Sequence, residues 1–336
     1  MILDRCQGCL IGGAAGDALG YEVEFNRLRE IVKRFGKDGI TEYVLHHGKA
    51  VFSDDTQMTL FTAEGLLLAE EPTFADYHAG IRRAYKDWFR TQTERFPLND
   101  AQAAHSKLLR MPELFAHRAP GNTCLSAIEG GCDGSVAEPV NHSKGCGGVM
   151  RVAPIGLLSP DRFPEDDSDR LGAEAAALTH GHDLGYLPAM LLVHMVRKLV
   201  YADMTMHEAA ESALEAVQRL YPDAKHLKDL IKLVKTAVKL ADDPKITTVK
   251  AYKTLGEGWV GDEALAIALF CAVRFEEDFD AAMIASVNHD GDSDSTGAVC
   301  GNLLGARLGL NAIPQKYILN LELRSTLMQM AAELAG

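Results

Sequence analysis

The chain has 336 residues, with 47 acidic against 34 basic side chains and a formal net charge of −13. Its hydrophobic fraction of 47% and charged fraction of 24% are typical of a globular protein and exclude a wholly disordered chain. The acidic balance argues against non-specific nucleic-acid binding, which depends on Lys and Arg contacts with phosphates. The longest apolar stretches, such as 264–273, are shorter than the ~20 residues that cross a bilayer, so no membrane segment is expected.

Helical periodicity runs through most of the chain. Apolar residues recur at three- and four-residue spacing, which is typical of helices with one buried face. In chain order this spacing predicts helices over 57–70, 74–90, 184–199, 205–221, 225–241, 262–274 and 297–309. Strand-like alternation is scarce, and the short stretch 40–46 is the best example of it. Because strands do not alternate with helices, we predict an all-α fold, a single compact domain of a dozen or more helices over residues 1–336.

The cysteine pattern indicates a reducing compartment. The chain has seven cysteines, and no basic segment precedes an apolar one at its start, so we expect a cytoplasmic protein without disulfides or signal peptide. Cys6 and Cys9 form a CxxC pair, but no second CxxC or CxxH pair accompanies it. We interpret both as buried structural thiols rather than a redox or zinc site.

The first unusual segment combines glycines with a charge inside an apolar helix. Gly13, Gly16 and Gly20 thin one side of that helix, which permits close packing. Asp17 lies among them, and a carboxylate in such a place needs a buried partner or a cation. Glu24 follows just beyond and could supply another oxygen.

Acidic and hydroxyl residues cluster directly before two predicted helices, at Ser53–Thr56 and at Asp290–Thr296. Capping accounts for one such residue per helix, since their side chains accept hydrogen bonds from free N–H groups. Two or three carboxylates exceed that need, and like charges so close are costly unless a cation neutralises them. Oxygen ligands of this kind favour Mg²⁺ or Mn²⁺. An EF-hand is excluded, because Ser295 and Gly301 stand where its loop needs Gly and Glu.

Two further segments lie between the acidic clusters: the glycine-rich Ser143–Arg151 and the histidine-containing Thr179–Tyr186. Small residues ahead of a helix can present several N–H groups to a phosphate, although a tight turn explains these glycines equally well. No G-x-x-x-x-G-K-[ST] occurs, which excludes a P-loop ATPase. His180 stands at a predicted helix–helix turn, where ligand contact and packing are equally consistent with the sequence.

Together these segments resemble the ADP-ribosylglycohydrolase family, the group that includes the bacterial dinitrogenase reductase-activating glycohydrolase. The similar pieces are Gly-Asp-Ala-Leu-Gly with Glu24, Ser-Asp-Asp-Thr, Gly-Cys-Gly-Gly-Val-Met-Arg, Thr-His and Gly-Asp-Ser-Asp-Ser-Thr-Gly, in the family's order over residues 12–305. The resemblance implies an all-α fold with two divalent cations, Mg²⁺ or Mn²⁺, in a cleft. It also implies hydrolysis of the glycosidic bond at C1″ of the distal ribose, with an ADP-ribosylated protein as substrate and ADP-ribose as product.

The resemblance further assigns roles to residues of this chain. It implies metal ligation by Ser53, Asp54, Asp55, Asp292, Asp294 and Ser295. It implies substrate binding by Ser143, Lys144, Gly145, Gly147, Gly148, His180 and Tyr186. The family's mobile glutamate falls on Glu24, and either Asp55 or Glu24 would be the catalytic acid/base. Asp290 departs from the small uncharged residue expected there and would add negative charge beside the metals.

Several linkages are candidates for the bond that is cleaved. An arginine linkage is favoured because the resemblance is closest to the arginine-directed bacterial branch; serine-linked and free ADP-ribosyl compounds are alternatives. An alternative function is that of an immunity protein, which counters an ADP-ribosylating toxin either by reversing the modification or by occluding the toxin. Occlusion usually needs a long additional arm, and the first motif here begins at residue 12, which argues against that role. A phosphohydrolase is disfavoured, because that class commonly uses His and Asp together as metal ligands, and His180 and His182 lie far in sequence from the carboxylates. A helical scaffold without catalytic activity would leave the buried Asp17 unexplained.

Segment 119–124 is interpreted as a loop rather than as part of a cleft.

Overall fold

The computed structural model describes residues 1–98 and 105–336, and every regular element in these ranges is a helix. The fifteen α-helices described are α1 (Ile2–Gly20), α2 (Leu28–Phe35), α3 (Asp54–Leu67), α4 (Phe74–Thr93), α5 (Asn122–Glu129), α6 (Glu165–Ala177), α7 (Asp183–Tyr201), α8 (Met206–Leu220), α9 (Leu227–Asp242), α10 (Thr248–Leu255), α11 (Gly261–Arg274), α12 (Phe279–Val287), α13 (Ser293–Leu308), α14 (Gln315–Ile318) and α15 (Arg324–Ala335). The predicted all-α fold is confirmed, and the seven predicted stretches correspond to α3, α4, α7, α8, α9, α11 and α13. The strand-like stretch 40–46 is irregular and ends in a turn between His46 and Lys49.

Glycines bring α1 and α13 into direct backbone contact. The facing positions are Gly8 and Gly305, Gly12 and Gly301, Gly16 and Gly297, and Gly20 and Ser293, so the two helices run antiparallel. A Cβ built on Gly12 would lie only 2.2 Å from the carbonyl oxygen of Gly301. The predicted glycine face is therefore correct for Gly16 and Gly20. It is also correct for Gly13, where an added Cβ would lie 2.1 Å from the side-chain amide of Asn302 on the same partner helix.

The buried Asp17 binds the first turn of α3. Its Oδ1 accepts the N–H of Ser53 at 2.8 Å. Its Oδ2 accepts the N–H of Thr56 at 2.9 Å and the Thr56 hydroxyl at 2.5 Å. Free N–H groups at a helix start carry partial positive charge, so they are the buried partner that the sequence requires of Asp17. The contact locks the start of α3 onto α1.

The CxxC pair lies inside the core on α1. Cys6 and Cys9 are fully buried, and none of the seven cysteines, all within the described ranges, forms a disulfide. Burial raises the pKa of the Cys6 thiol to about 11, so it stays protonated at neutral pH. The interpretation of the pair as structural thiols is confirmed. Among the helices of residues 1–98 and 105–336, none has both the length and the apolar character needed to cross a bilayer.

Candidate active site

Helix ends from distant parts of the chain meet at one cleft of about 310 Å³. The segment after α1 brings Glu24 to it, and α3 and α13 begin at it with their acidic first turns. One part of the lining is therefore acidic: Glu24, Asp54, Asp55, Asp292, Asp294 and Ser295. The glycine rows of α1 and α13 and the Asp17 contact set the relative positions of these three elements.

The acidic side chains converge within metal-binding distance. Single carboxylate oxygens of Glu24, Asp292 and Asp294 lie within 4.8 Å of one another, and all three side chains are buried. Oε2 of Glu24 and Oδ2 of Asp55 are buried without a hydrogen-bond partner in the described part of the chain. Unpartnered buried carboxylate oxygens are costly unless a cation is bound beside them. The donor set, hard oxygens only, fits Mg²⁺ or Mn²⁺.

Burial and mutual repulsion control the protonation of this cluster. Burial, followed by the charges of Asp294 and Asp292, raises the pKa of Glu24 to about 11. Burial and Asp294 also raise the pKa of Asp54, Asp55 and Asp292 well above the usual carboxyl range, and that of Asp17 to about 7. The charge of Asp294 is thus the shared electrostatic neighbour of the cluster. A divalent cation bound there would reverse these shifts.

The glycine-rich segment and His180 form another part of the lining. The His180 ring lies over two glycines: a Cβ would be 3.3 Å from Nε2 if built on Gly145 and 3.1 Å if built on Gly147. The segment is held from the other side, since the Cys146 N–H donates to the carbonyl oxygen of Trp259 at 3.3 Å. Glycine is therefore required here by the close approach of the imidazole.

Five of the expected site residues are not in the cleft lining: Ser53, Ser143, Lys144, Gly148 and Tyr186. Ser53 caps α3, and its Oγ accepts the N–H of Asp55 at 3.2 Å. The Oγ of Ser143 accepts the N–H of Gly145 at 3.3 Å, so it supports the glycine turn. Gly148 packs against α7, and the Tyr186 ring lies beside that of Tyr221 with centroids 6.3 Å apart.

Asp290 occupies a different place from the one expected. It is exposed, lies outside the cleft lining, and its Oδ1 accepts the N–H of Leu28 at 2.7 Å. Leu28 is the first residue of α2, whose free N–H groups attract a carboxylate. Asp290 is therefore a capping residue of α2, and the expectation that it adds charge beside the metals is wrong.

The cleft also contains residues to which the sequence analysis assigned no role in the site. Segment 119–124 lines it, and the Gly121 N–H donates to Oδ2 of Asp54 at 3.2 Å, so its interpretation as a plain loop is wrong. Phe25 and Trp259 stack there with centroids 5.8 Å apart, and they remain 72% and 38% exposed. The only sequence signal for this pair was an aromatic residue next to Glu24 and another in a non-helical stretch.

Carboxylates from two helix starts and the unpartnered Glu24 meet at one cleft, and paired carboxylates are the groups that glycosidic-bond hydrolases use. The chain belongs to the ADP-ribosylglycohydrolase family, whose profile matches residues 1–336, and it is thus an ADP-ribosyl hydrolase by family. The ADP-ribosyl-[dinitrogen reductase] glycohydrolase of Rhodospirillum rubrum is 25% identical over 96% of this chain and 91% of that protein. The human ADP-ribosylhydrolase ARH3 is 24% identical over 94% of this chain and 88% of that protein.

Two more comparisons extend this family likeness. The ADP-ribosylarginine hydrolase Tri1 of Pseudomonas putida is 22% identical over 99% of this chain and 78% of that protein. A solved structure described as an ADP-ribosylglycohydrolase-related protein complex has a TM-score of 0.63 and 25% identity, covering 99% of this chain and 98% of that chain. The likeness therefore extends over the whole fold.

The raised carboxyl pKa values predict an unusual pH dependence for the metal-free protein. Asp17 and Glu24, with folded pKa values of about 7 and about 11, bind protons more tightly in the folded chain than in the unfolded chain. The unfolded values lie near 4, so the free energy of unfolding is highest at low pH and falls as the pH rises from about 5 to 8. Urea unfolding with chelator across this range measures the slope.

Saturating Mg²⁺ or Mn²⁺ provides the control for that measurement. Because cations bind the deprotonated carboxylates, the decline should be weaker or reversed in their presence. A chelated protein that gains stability between about pH 5 and 8 would contradict the raised values.

Proposed function

We propose that the protein is a cytoplasmic, metal-dependent hydrolase that releases ADP-ribose from modified arginine side chains of proteins. The observation that carries the hydrolase chemistry is the buried carboxylate cluster, in which Glu24 and Asp55 each keep an unpartnered oxygen at the cleft. Two divalent cations, Mg²⁺ or Mn²⁺, would be held by Asp54, Asp55, Asp292 and Asp294 together with Ser295, and Ser53 would support them from the cap of α3. When bound, such cations supply positive charge that orients the hydroxyls of the distal ribose.

The chain's own groups account for the rest of the reaction. Cleavage at C1″ develops positive charge on the ribose ring, which nearby carboxylates stabilise. Asp55 or Glu24 takes a proton from the attacking water and returns it to the leaving nitrogen of the arginine side chain, so it is the acid/base of the reaction. The turn at Gly145–Gly147 and the neighbouring His180 would bind the diphosphate of the ADP-ribosyl group, because small residues there leave room for phosphate oxygens.

The arginine linkage is supported by the mouth of the cleft. The stacked pair Phe25 and Trp259 offers exposed aromatic surface next to Glu24 and the other carboxylates. A guanidinium group gains free energy over an aromatic face, whereas a serine hydroxyl carries no charge to be attracted. The name of the Pseudomonas relative, an ADP-ribosylarginine hydrolase, agrees with this choice.

Release of ADP-ribose from arginine-linked and serine-linked ADP-ribosyl peptides tests the proposal, in Mg²⁺, in Mn²⁺ and in chelator. We expect release from the arginine-linked peptide to be at least about tenfold faster, in line with a cation–π contribution of 1–2 kcal/mol, and to vanish with chelator. Faster release from the serine-linked peptide would overturn the linkage. Tight ADP-ribose binding without release from either peptide would favour occlusion over catalysis.

Asp55→Asn and Glu24→Gln separate the two candidates for the acid/base. Each variant keeps the shape of the side chain and removes its ability to exchange a proton. The acid/base is the residue whose variant loses turnover while the metal content, measured by elemental analysis, stays at the wild-type level. Full turnover of Glu24→Gln would remove that residue from the mechanism.

A further inference from the structure

Arg151 is a fully buried cation that the proposed reaction does not use. Its Nη1 donates to Sγ of Cys124 at 3.2 Å, and its guanidinium carbon lies 4.3 Å from the ring centroid of Tyr85. Its Nη2 donates to the carbonyl oxygen of Ala175 at 3.1 Å and to Oγ1 of Thr179 at 2.7 Å. Within residues 1–98 and 105–336, no carboxylate forms an ion pair with it. A buried charge without a counter-ion is costly, which calls for an explanation.

The hydroxyl of Thr179 links this cation to His180. The hydroxyl oxygen lies 2.8 Å from Nδ1 of His180 and already accepts a hydrogen bond from Arg151. Its single proton has two other acceptors nearby, the carbonyl oxygen of Ala176 at 3.4 Å and Sγ of Cys124, a weak acceptor that also accepts from Arg151. That carbonyl already accepts the backbone N–H groups of Thr179 and His180 at 3.1 and 3.0 Å. The hydroxyl proton therefore goes to Nδ1, and the proton of a neutral His180 must lie on Nε2.

His180 is neutral and directs this N–H toward the cleft. Burial, followed by the charge of Arg151, lowers the pKa of His180 to about 3. Nε2 lies over Gly145 and Gly147 in the cleft lining and has no hydrogen-bond partner among the described residues. A donor N–H that faces the cleft without a protein acceptor is available to an acceptor on a bound molecule.

We propose that Arg151 is a positioning residue, which acts through Thr179 to hold the His180 proton on Nε2, so that this N–H donates to a diphosphate oxygen of the bound ADP-ribosyl group. The ligand in this inference rests on the proposed function. Arginine suits the role because its N–H groups only donate, so Thr179 cannot reverse the direction of the hydrogen-bond chain. The uncompensated charge also adds positive potential beneath a site for an anion.

The decisive variant is Thr179→Val, which keeps the side-chain shape and removes the hydroxyl. We expect the long-range ¹H–¹⁵N spectrum of the ring nitrogens at pH 7 to show His180 protonated on Nε2 in the wild type and to lose this pure state in the variant. The signal is assigned with His180→Gln. The Kd of ADP-ribose, measured by calorimetry with Mg²⁺, should rise about tenfold, the effect of one misdirected hydrogen bond. Thr179→Ser should restore both readings.

Two control variants separate positioning from stability. Thr91→Val removes a buried hydroxyl of α4 that donates to the carbonyl oxygen of Trp88 at 2.7 Å, away from the cleft. Arg197→Met, a control for Arg151→Met, removes a buried arginine whose hydrogen bonds within residues 1–98 and 105–336 go to carbonyl oxygens, those of Leu158 and Phe163. We expect both controls to lower the melting temperature without changing the His180 spectrum, whereas Arg151→Met changes it.

The outcomes are distinct. A Thr179→Val protein with the wild-type His180 spectrum and the wild-type Kd overturns the proposal, as does a wild-type His180 protonated on Nδ1. A changed spectrum with an unchanged Kd overturns donation to the diphosphate. A wild-type chain that shows the Nε2 proton but binds no ADP-ribose overturns the proposed function and the ligand contact, while the link from Arg151 to His180 stands.

Discussion

Replacing Asp294 with asparagine should reduce release of ADP-ribose by about a thousandfold and at the same time stabilise the metal-free protein. After burial, its charge is the largest cause that raises the pKa values of Glu24, Asp54, Asp55 and Asp292, so it is central to the cluster. A group that places charge next to a transition state contributes a rate factor of about 10² to 10³. Without cations, however, the same charge only repels its neighbours, and removing it should add about 1 kcal/mol to the free energy of unfolding.

The measurement pairs turnover with thermal unfolding, each with and without Mg²⁺ or Mn²⁺. The wild type should gain thermal stability on addition of the cation, and Asp294→Asn should gain none. Asp290→Asn is the matched control, because that carboxylate lies two residues before Asp292 yet caps α2 at the surface. Wild-type turnover by Asp294→Asn, or an unchanged response to the cation, would rule out its place in the metal centre.

Gly12→Ala should cost about 3 kcal/mol of stability, the upper part of the range for overpacked cores. The new methyl group would lie 2.2 Å from the carbonyl oxygen of Gly301, and the backbone of α13 cannot move aside without shifting its whole contact with α1. Displacement of α13 also moves Asp292 and Asp294, so the variant should bind the cations more weakly as well.

Gly13→Ala on the same helix is the control. Its methyl group meets the side-chain amide of Asn302 at 2.1 Å, which can turn away at the loss of a hydrogen bond to the carbonyl oxygen of Cys9. That loss, about 1 kcal/mol, is offset by the higher helix propensity of alanine. Equal denaturation midpoints for the two variants in urea would show that backbone contact between α1 and α13 is not what limits stability.

The helices and the acidic clusters could be predicted from the sequence because both are local patterns. Periodic apolar residues predict a buried face wherever it packs, and carboxylates before a helix indicate more than a cap. What could not be predicted depends on which distant segments meet. The sequence placed Gly16 and Gly20 on the packing face but not Gly8 and Gly12, because nothing local identifies α13 as the partner helix. Phe25 and Trp259 stack only because the segment after α1 and the one before α11 share a cleft.

The orientation of side chains at helix starts could not be predicted from the sequence either. Ser53 and Asp290 have the right chemistry for metal ligands and lie in the right segments. The fold turns the Ser53 hydroxyl toward a backbone N–H of its own helix and turns Asp290 toward the start of α2. Side-chain orientation at a helix start depends on which N–H groups are free nearby, and that is a property of the assembled structure.

The pairing of α1 with α13 also has a consequence during synthesis on the ribosome. Gly12 emerges long before Gly301, so the glycine face of α1 has no partner until α13 has been translated. Contacts between such distant positions form late, since a very long loop must close first. Asp292 and Asp294 arrive with the same helix. A nascent chain therefore holds Glu24, Asp54 and Asp55 without the other half of the cluster, and the cleft is completed only once α13 has been translated.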